Sequence, residues 1–160
     1  VMRDMRTIHM SSGRGLAGVV LAQPSPDIRA AFTAALAEVE ARVSVRWFDD
    51  GAQCLAYLQA LELPPGDPAP RLVLMSFHLP KQGGLHVLQR LRNGRARRGL
   101  PVVMTGAPTD AGLVRPAYQA GANSCVLLPE DREQRTMSLS TVLEYWMNVV
   151  VGPVPEARAG

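Results

Sequence analysis

Short apolar runs alternate along this chain with longer stretches in which apolar side chains recur every three or four residues. The clearest run is Leu72-Val73-Leu74-Met75, closed by Ser76. A run with no polar face predicts a strand buried on both sides, as in a parallel sheet. It turns at Pro80 and Gly83-Gly84 into an amphipathic pattern carrying Leu85, Leu88 and Leu91. The rest of the chain has the same alternation. Residues 16–22 predict a first strand. Ser25 suits the N-cap of the helix after it, Pro26 its first position and Asp27 its dipole, and Ile28, Phe32, Leu36 and Val39 form its inner face. Residues 43–48 predict a second strand, and Asp49 or Asp50 can cap a helix whose inner face is Cys54, Leu58 and Leu61. Residues 64–70, rich in proline, must be loop. Residues 100–105 predict a fourth strand. The helix after it, capped by Thr109 or Asp110 and ended by Gly121, should be kinked or shortened by Pro116. Residues 123–128 predict a fifth strand, and a last helix begins near Asp131, with its strongest pattern over 137–150.

Strands alternating with helices in this way predict an α/β domain: a five-stranded parallel sheet with helices on both faces. Right-handed crossovers limit the topologies, and the flavodoxin-like (βα)5 order 2-1-3-4-5 is the most economical. In such sheets the chemistry sits past the carboxyl ends of the strands, so Ser76 and Phe77 are the first place to look. The 160 residues suffice for one such domain. We assign residues 16–153 to it, 1–15 to a flexible N-terminal tail in which His9-Met10 has the look of a start-site remnant, and 154–160 to a disordered tail. No apolar run approaches the ~20 residues of a membrane span, and no apolar signal core opens the chain, so the expected compartment is the cytoplasm.

Charge and cysteine content add little chemistry. The net charge is +3, carried by arginines apart from Lys81. The densest basic run, Arg90 to Arg98, has no interleaved aromatics, which favours a solvated helix end over a nucleic-acid surface. Cys54 and Cys125 fit neither a disulfide framework nor a zinc spacing, and His9, His78 and His86 are scattered. Thr105-Gly106-Ala107-Pro108-Thr109 lacks the Gly-Lys-Ser/Thr ending of a phosphate loop. Neither a metal, a cofactor nor an enzymatic activity is expected.

Several stretches together resemble the receiver domain of bacterial response regulators. They are Leu79-Pro80-Lys81 with Gly84-Leu85, Pro101-Val102-Val103-Met104, and Ala120-Gly121-Ala122-Asn123-Ser124. The ending Tyr145-Trp146 with Val149-Val150-Val151-Gly152-Pro153 is similar to that of small single-domain, phytochrome-associated regulators, which dimerise through their C-terminal segment. The resemblance implies a site switched by phosphorylation of an aspartate, with Mg2+ held by that aspartate and an acidic pair, and with a hydroxyl and a lysine binding the phosphoryl oxygens. This chain departs at each position. Ser76 stands at the acceptor, Gln23 and Pro24 at the acidic pair, Gly106 at the hydroxyl (Thr105 after a one-residue slip), Cys125 at the switch aromatic and Leu128 at the lysine. Without those carboxylates Mg2+ loses its preferred ligands, and a serine hydroxyl is a weak nucleophile. His78 as its base is a weak candidate, because the chain turns at Pro80.

The expectation is therefore a pseudo-receiver in two-component signalling. It acts by protein–protein contact without aspartyl phosphorylation, with a histidine kinase or bacteriophytochrome as the partner the resemblance implies. With no helix-turn-helix after the receiver, DNA binding is not expected. Two alternatives stand beside it: a small-molecule or nucleotide sensor using the vacated pocket, and phosphotransfer to a residue other than aspartate. In the last helix Leu139, Val142, Leu143, Trp146, Met147 and Val150 form one face. Tyr145 and Val149 lie outside it, more apolar surface than one packed face needs. With Trp146 and Val151 they are the expected homodimer interface.

Overall fold

The computed structural model describes residues 5–8 and 16–151, with side chains from residue 16 onward. The elements are β1 (Met5–Ile8), β2 (Ala17–Ala22), α1 (Pro26–Glu38), β3 (Val43–Phe48), α2 (Gly51–Gln59), β4 (Pro70–Ser76), α3 (Gly84–Asn93), β5 (Val102–Gly106), α4 (Ala111–Gln119), β6 (Ser124–Leu127) and α5 (Arg132–Glu144). A short 3-10 turn (Pro108–Asp110) precedes α4, and a π-helical turn (Tyr145–Val149) continues α5. The five parallel strands β2 to β6 stand in the expected flavodoxin-like order, with β2 between β3 and β4 and β6 at one edge.

One strand lies outside that expectation. Met5–Ile8, assigned from sequence to a flexible tail, pairs antiparallel with β3 in the register Met5 to Arg46 and Ile8 to Val43, which makes the sheet six-stranded. A four-residue edge strand is held by backbone pairing, which leaves little hydrophobic signature to read. His9-Met10 and residues 152–160 lie outside the described residues.

Alternation along the central strands divides the core in two. Val19, Leu21, Leu72 and Leu74 face α1 and α5, where Phe32, Leu36, Leu139, Leu143 and Met147 are buried. Val20, Val73 and Met75 face the other way, against Leu58, Val87, Leu88, Leu91 and Ala117 of α2, α3 and α4. Each buried leucine contributes about 1.5–3 kcal/mol through area removed from water. Three helix starts follow the expected caps, while at α4 Asp110 takes the N-cap position without a side-chain capping bond. Ser25 Oγ accepts from the Ile28 amide at 3.3 Å, Asp50 Oδ1 from Gln53 at 2.7 Å and Asp131 Oδ1 from Gln134 at 2.9 Å. Pro116 sits within α4, which is nine residues long. Leu61 is corrected: α2 stops at Gln59, and Leu61 beyond it is 90% exposed.

The loop before β4 is fixed at the amino end of the sheet. Arg46 Nη2 meets Asp67 Oδ2 at 2.6 Å, and the Tyr57 hydroxyl donates to the same oxygen at 2.9 Å. Burial and then the Asp67 carboxylate push the Tyr57 phenol up to about 12. A cavity of about 10 Å3 beside these residues has room for about one water.

Burial likewise pushes the Cys54 thiol up to about 12, with Asp50 adding to the shift, and raises Cys125. Only thiolate attacks an alkylating reagent. Native protein at pH 8 should therefore leave Cys54 unmodified by iodoacetamide while unfolded chain reacts fully, as read by intact mass. Because the folded thiol is raised, its contribution to stability holds below about pH 8.5 and falls as pH rises from there toward 12.

Candidate functional site at the carboxyl ends of the strands

β2, β4 and β5 end side by side, with Ala22 beside Met75 and Ser76 beside Thr105. Their last residues bring Gln23, Ser76, Thr105 and Gly106 to one edge, with Leu128 following β6. The residues the resemblance assigns to the acceptor, acidic-pair, hydroxyl and lysine positions therefore do converge. Gln23, Ser76, Thr105 and Leu128 are all buried.

The side-chain oxygens of Gln23 and Ser76 accept from the chain itself. Gln23 Oε1 accepts from the Ser25 amide at 3.0 Å, and Arg29 Nε donates to the Gln23 carbonyl at 2.7 Å. Pro24, partly buried, has no side-chain donor or acceptor. The Ser76 hydroxyl oxygen accepts from the His78 amide at 3.1 Å, fixing the first turn beyond β4. His78 thus meets Ser76 through its backbone. Its ring points elsewhere, with Nε2 2.7 Å from Asp110 Oδ1. Leu128 lies in the core with α1 and α5, beside Leu139 and Leu143, in surroundings that suit an alkyl chain and would strand a lysine ammonium. Cys125 is partly buried on the opposite face, packed against the α2–α4 core. Its amide donates to the Tyr118 hydroxyl at 3.2 Å.

The space over Gly106 is filled. A β-carbon there would meet the Phe77 ring at 2.7 Å and Asp110 Oδ2 at 2.8 Å. Phe77 is buried, and its amide donates to the Thr105 carbonyl at 2.9 Å. Asp110 Oδ2 accepts from the Ala107 amide at 2.7 Å. The His78 ring and then this amide hold the Asp110 carboxyl below the usual carboxylate range. On the other flank, Asp50 caps α2 and lies 3.4 Å from Lys81 Nζ.

A divalent cation fits these residues poorly. Mg2+ takes one or two carboxylates plus water in octahedral geometry. The strand ends supply an amide oxygen from Gln23 and hydroxyls from Ser76 and Thr105 but no carboxylate; Gln23 Oε1 and Ser76 Oγ already accept from backbone, while Asp50 and Asp110 are committed to caps and ion pairs. Among the described residues no group of three or more His, Cys, Asp or Glu is placed to hold a metal ion.

Sequence reasoning missed three groups. The His78–Asp110 pair joins residues 32 apart, with no local signal. Phe77 was noted by position, without its role as the plug over Gly106. The basic run is structural rather than simply solvated: the Arg92 guanidinium donates to the carbonyls of Gly121, Arg98 and Leu100 and to Asn123 Oδ1, at 2.7 to 2.9 Å. Arg97, at φ 52, donates to the Leu58 and Ala60 carbonyls at the end of α2. Of the expected interface residues, Tyr145, Val149 and Val151 are exposed, at 51, 62 and 91%, and so is Met137 one helical stripe back, at 61%. Trp146 packs partly into the core and edge-on to Tyr145, ring centroids 5.4 Å apart.

The response regulator receiver domain model matches residues 19–140. A probable methanogenesis regulatory protein of Methanothrix harundinacea, FilR2, is 32% identical over 111 residues, spanning 69% of this chain and 71% of that protein. The response regulator Rcp1 of Synechocystis is 23% identical over 104 residues, 65% of this chain and 71% of that one. Among solved structures, Mn2+-bound Rcp1 superposes with a TM-score of 0.78 at 20% identity, over 86% of this chain and 99% of that one. The phosphorylated cyanobacterial phytochrome response regulator RcpA superposes with a TM-score of 0.80 at 20% identity, over 88% of this chain and the whole of the other. No helix among the described residues is long and apolar enough to cross a membrane. The matched family, the topology and the converging strand ends agree: this chain belongs to the response regulator receiver family of two-component signalling.

Proposed function

We propose that this receiver works without aspartyl phosphorylation, as a pseudo-receiver that signals by protein–protein contact. The observation that carries the reading is the state of the strand ends. Ser76, Gln23 and Pro24 offer no carboxylate, and the side-chain oxygens of Ser76 and Gln23 each accept from a neighbouring backbone amide. Leu128, buried in apolar surroundings, replaces the lysine that would meet a phosphoryl oxygen. These changes are mutually consistent, since a lysine without the carboxylate cluster would be an unpaired, partly buried charge. The close approach of Phe77 and Asp110 to Gly106 also disfavours the small-molecule sensor, because it narrows the space beside that residue.

The partner surface we assign is the outer side of α5 and its π-helical extension, where Met137, Tyr145, Val149 and Val151 leave apolar area uncovered. A second copy is the occupant, by analogy with the C-terminal dimers of the single-domain regulators this chain resembles, and a two-fold interface would repeat the same patch on both sides. A kinase of the histidine-kinase or bacteriophytochrome type is the candidate upstream partner, and the cytoplasm is the compartment in which it would be met.

Two measurements test this. Intact mass after incubation with Mg2+ and acetyl phosphate should show no phosphoryl adduct, while an aspartate-bearing receiver in the same buffer acquires one. An adduct lost in Ser76→Ala would replace this reading with altered acceptor chemistry. Sedimentation of the wild type should give a dimer, with the double variant Tyr145→Asp/Val149→Asp monomeric at equal concentration. A monomeric wild type at tens of micromolar would remove the assigned interface.

A further inference from the structure

The segment from Phe77 to Gly83 crosses the carboxyl ends of the strands and is fastened on both sides. Toward α2, the Gly51 amide donates to the Pro80 carbonyl at 3.1 Å, and Lys81 Nζ stands 3.4 Å from Asp50 Oδ2. Lys81 takes a left-handed backbone at φ 65 to make this turn. Toward α4, His78 Nε2 stands 2.7 Å from Asp110 Oδ1. Beneath the segment, the Phe77 ring seats against Gly106, and the Phe77 carbonyl accepts from the Gly84 amide at 3.1 Å.

Each side combines a backbone hydrogen bond with a side-chain pair. On the α2 side the pair is the longer one, 3.4 Å between Lys81 and Asp50. On the α4 side the Phe77 amide donates to the Thr105 carbonyl at 2.9 Å, and the shorter His78–Asp110 bridge joins the two loops beyond it. The Asp110 side chain is 11% exposed and anchored by the Ala107 amide, whereas His78 is 66% exposed. Its imidazole can swing into solvent with nothing else moving, while Asp110 stays in place.

We propose that the 77–83 segment is a strap and that the His78–Asp110 bridge is its releasable latch, coupling the β4–α3 loop to the turn that begins α4. With the latch closed, Phe77 stays over Gly106, and the two loops move as one. With it open, the strap keeps its α2 fastening and lifts at the His78 end, and the Pro108–Asp110 turn gains freedom on the other side. The inference concerns the same strand ends as the proposed function but does not depend on it. The test uses no phosphodonor, so an adduct on Ser76 would overturn that reading and leave this one standing.

The test is amide hydrogen exchange by mass spectrometry on the full chain, comparing wild type with His78→Ala and Asp110→Asn. His78→Ala removes only the bridge, from an exposed position, and should fold. Exchange is expected to rise about three- to tenfold in two separated peptides, 77–83 and 107–113, with α1 and α5 unchanged. Asp110→Asn keeps an acceptor for the Ala107 amide while losing the charge, and should show the same two-loop pattern at smaller amplitude. Once Asp110→Ala has opened the latch, adding His78→Ala should change nothing further. Exchange in His78→Ala that stays at the wild-type rate, or rises only beside position 78, would overturn the latch.

Discussion

Replacement of Gly84 by alanine is expected to cost the fold at least about 3 kcal/mol, lowering the thermal midpoint by roughly 6–12 °C. A β-carbon at Gly84 would fall far inside contact distance of the Ser76 carbonyl oxygen and 2.9 Å from the Met104 methyl. The carbonyl belongs to the end of a buried central strand and cannot retreat, so the first turn of α3 must move away from the sheet, pulling the 77–83 strap with it. Gly83 is the control. Its added β-carbon meets only the Phe77 carbonyl oxygen at an ordinary 3.7 Å, and Gly83 serves as the N-cap of α3 at φ −58. Gly83→Ala should cost under about 1 kcal/mol, the difference between glycine and alanine at an N-cap. Thermal denaturation of the two variants side by side checks the contrast, and equal midpoints would mean that α3 does not need this close approach.

The pair Gly83-Gly84 shows where sequence reading succeeds and where it stops. Both glycines mark a turn into a helix, which is what the sequence predicts, yet only packing distinguishes the one pressed on β4 from the one facing open space. The parallel sheet was legible because burial on both faces forces apolar runs such as Leu72 to Met75, and the caps Ser25, Asp50 and Asp131 were legible because they act within three residues. The convergence of Gln23, Ser76 and Leu128 followed from the family resemblance. What these side chains touch did not, because Ser76 answers to a neighbouring amide and Leu128 to two helices. Long-range polar contacts left no trace in the sequence, as His78 with Asp110 shows. Nor did the pairing of Met5–Ile8 with β3, which is held through the backbone. Leu61 was misplaced because helical periodicity runs on past the point where Ala60 leaves the helical conformation, at ψ 134.

Arg92→Ala is expected to destabilise the protein by about 2–3 kcal/mol, whereas Arg90→Ala and Arg95→Ala, in the same basic run, should stay within about 0.5 kcal/mol. The Arg92 guanidinium ties three pieces of chain together: the end of α3, the segment entering β5 through the Arg98 and Leu100 carbonyls, and the turn before β6 through Gly121 and Asn123. Asn123 Oδ1 also accepts from the Val102 amide at 2.9 Å, so the same contact sets the start of β5. Burial lowers the Arg92 guanidinium from its usual range, the direction expected for a cation with its charge partly withdrawn from water. Arg90 and Arg95 are exposed, and no comparable anchoring distinguishes them. Arg92→Lys should recover little of the loss, because a single ammonium cannot direct donors at three carbonyls and an amide oxygen from one plane. Urea unfolding of the four variants reads the outcome. Similar midpoints for Arg92→Ala and Arg90→Ala would return the whole run to the role of a solvated charged surface.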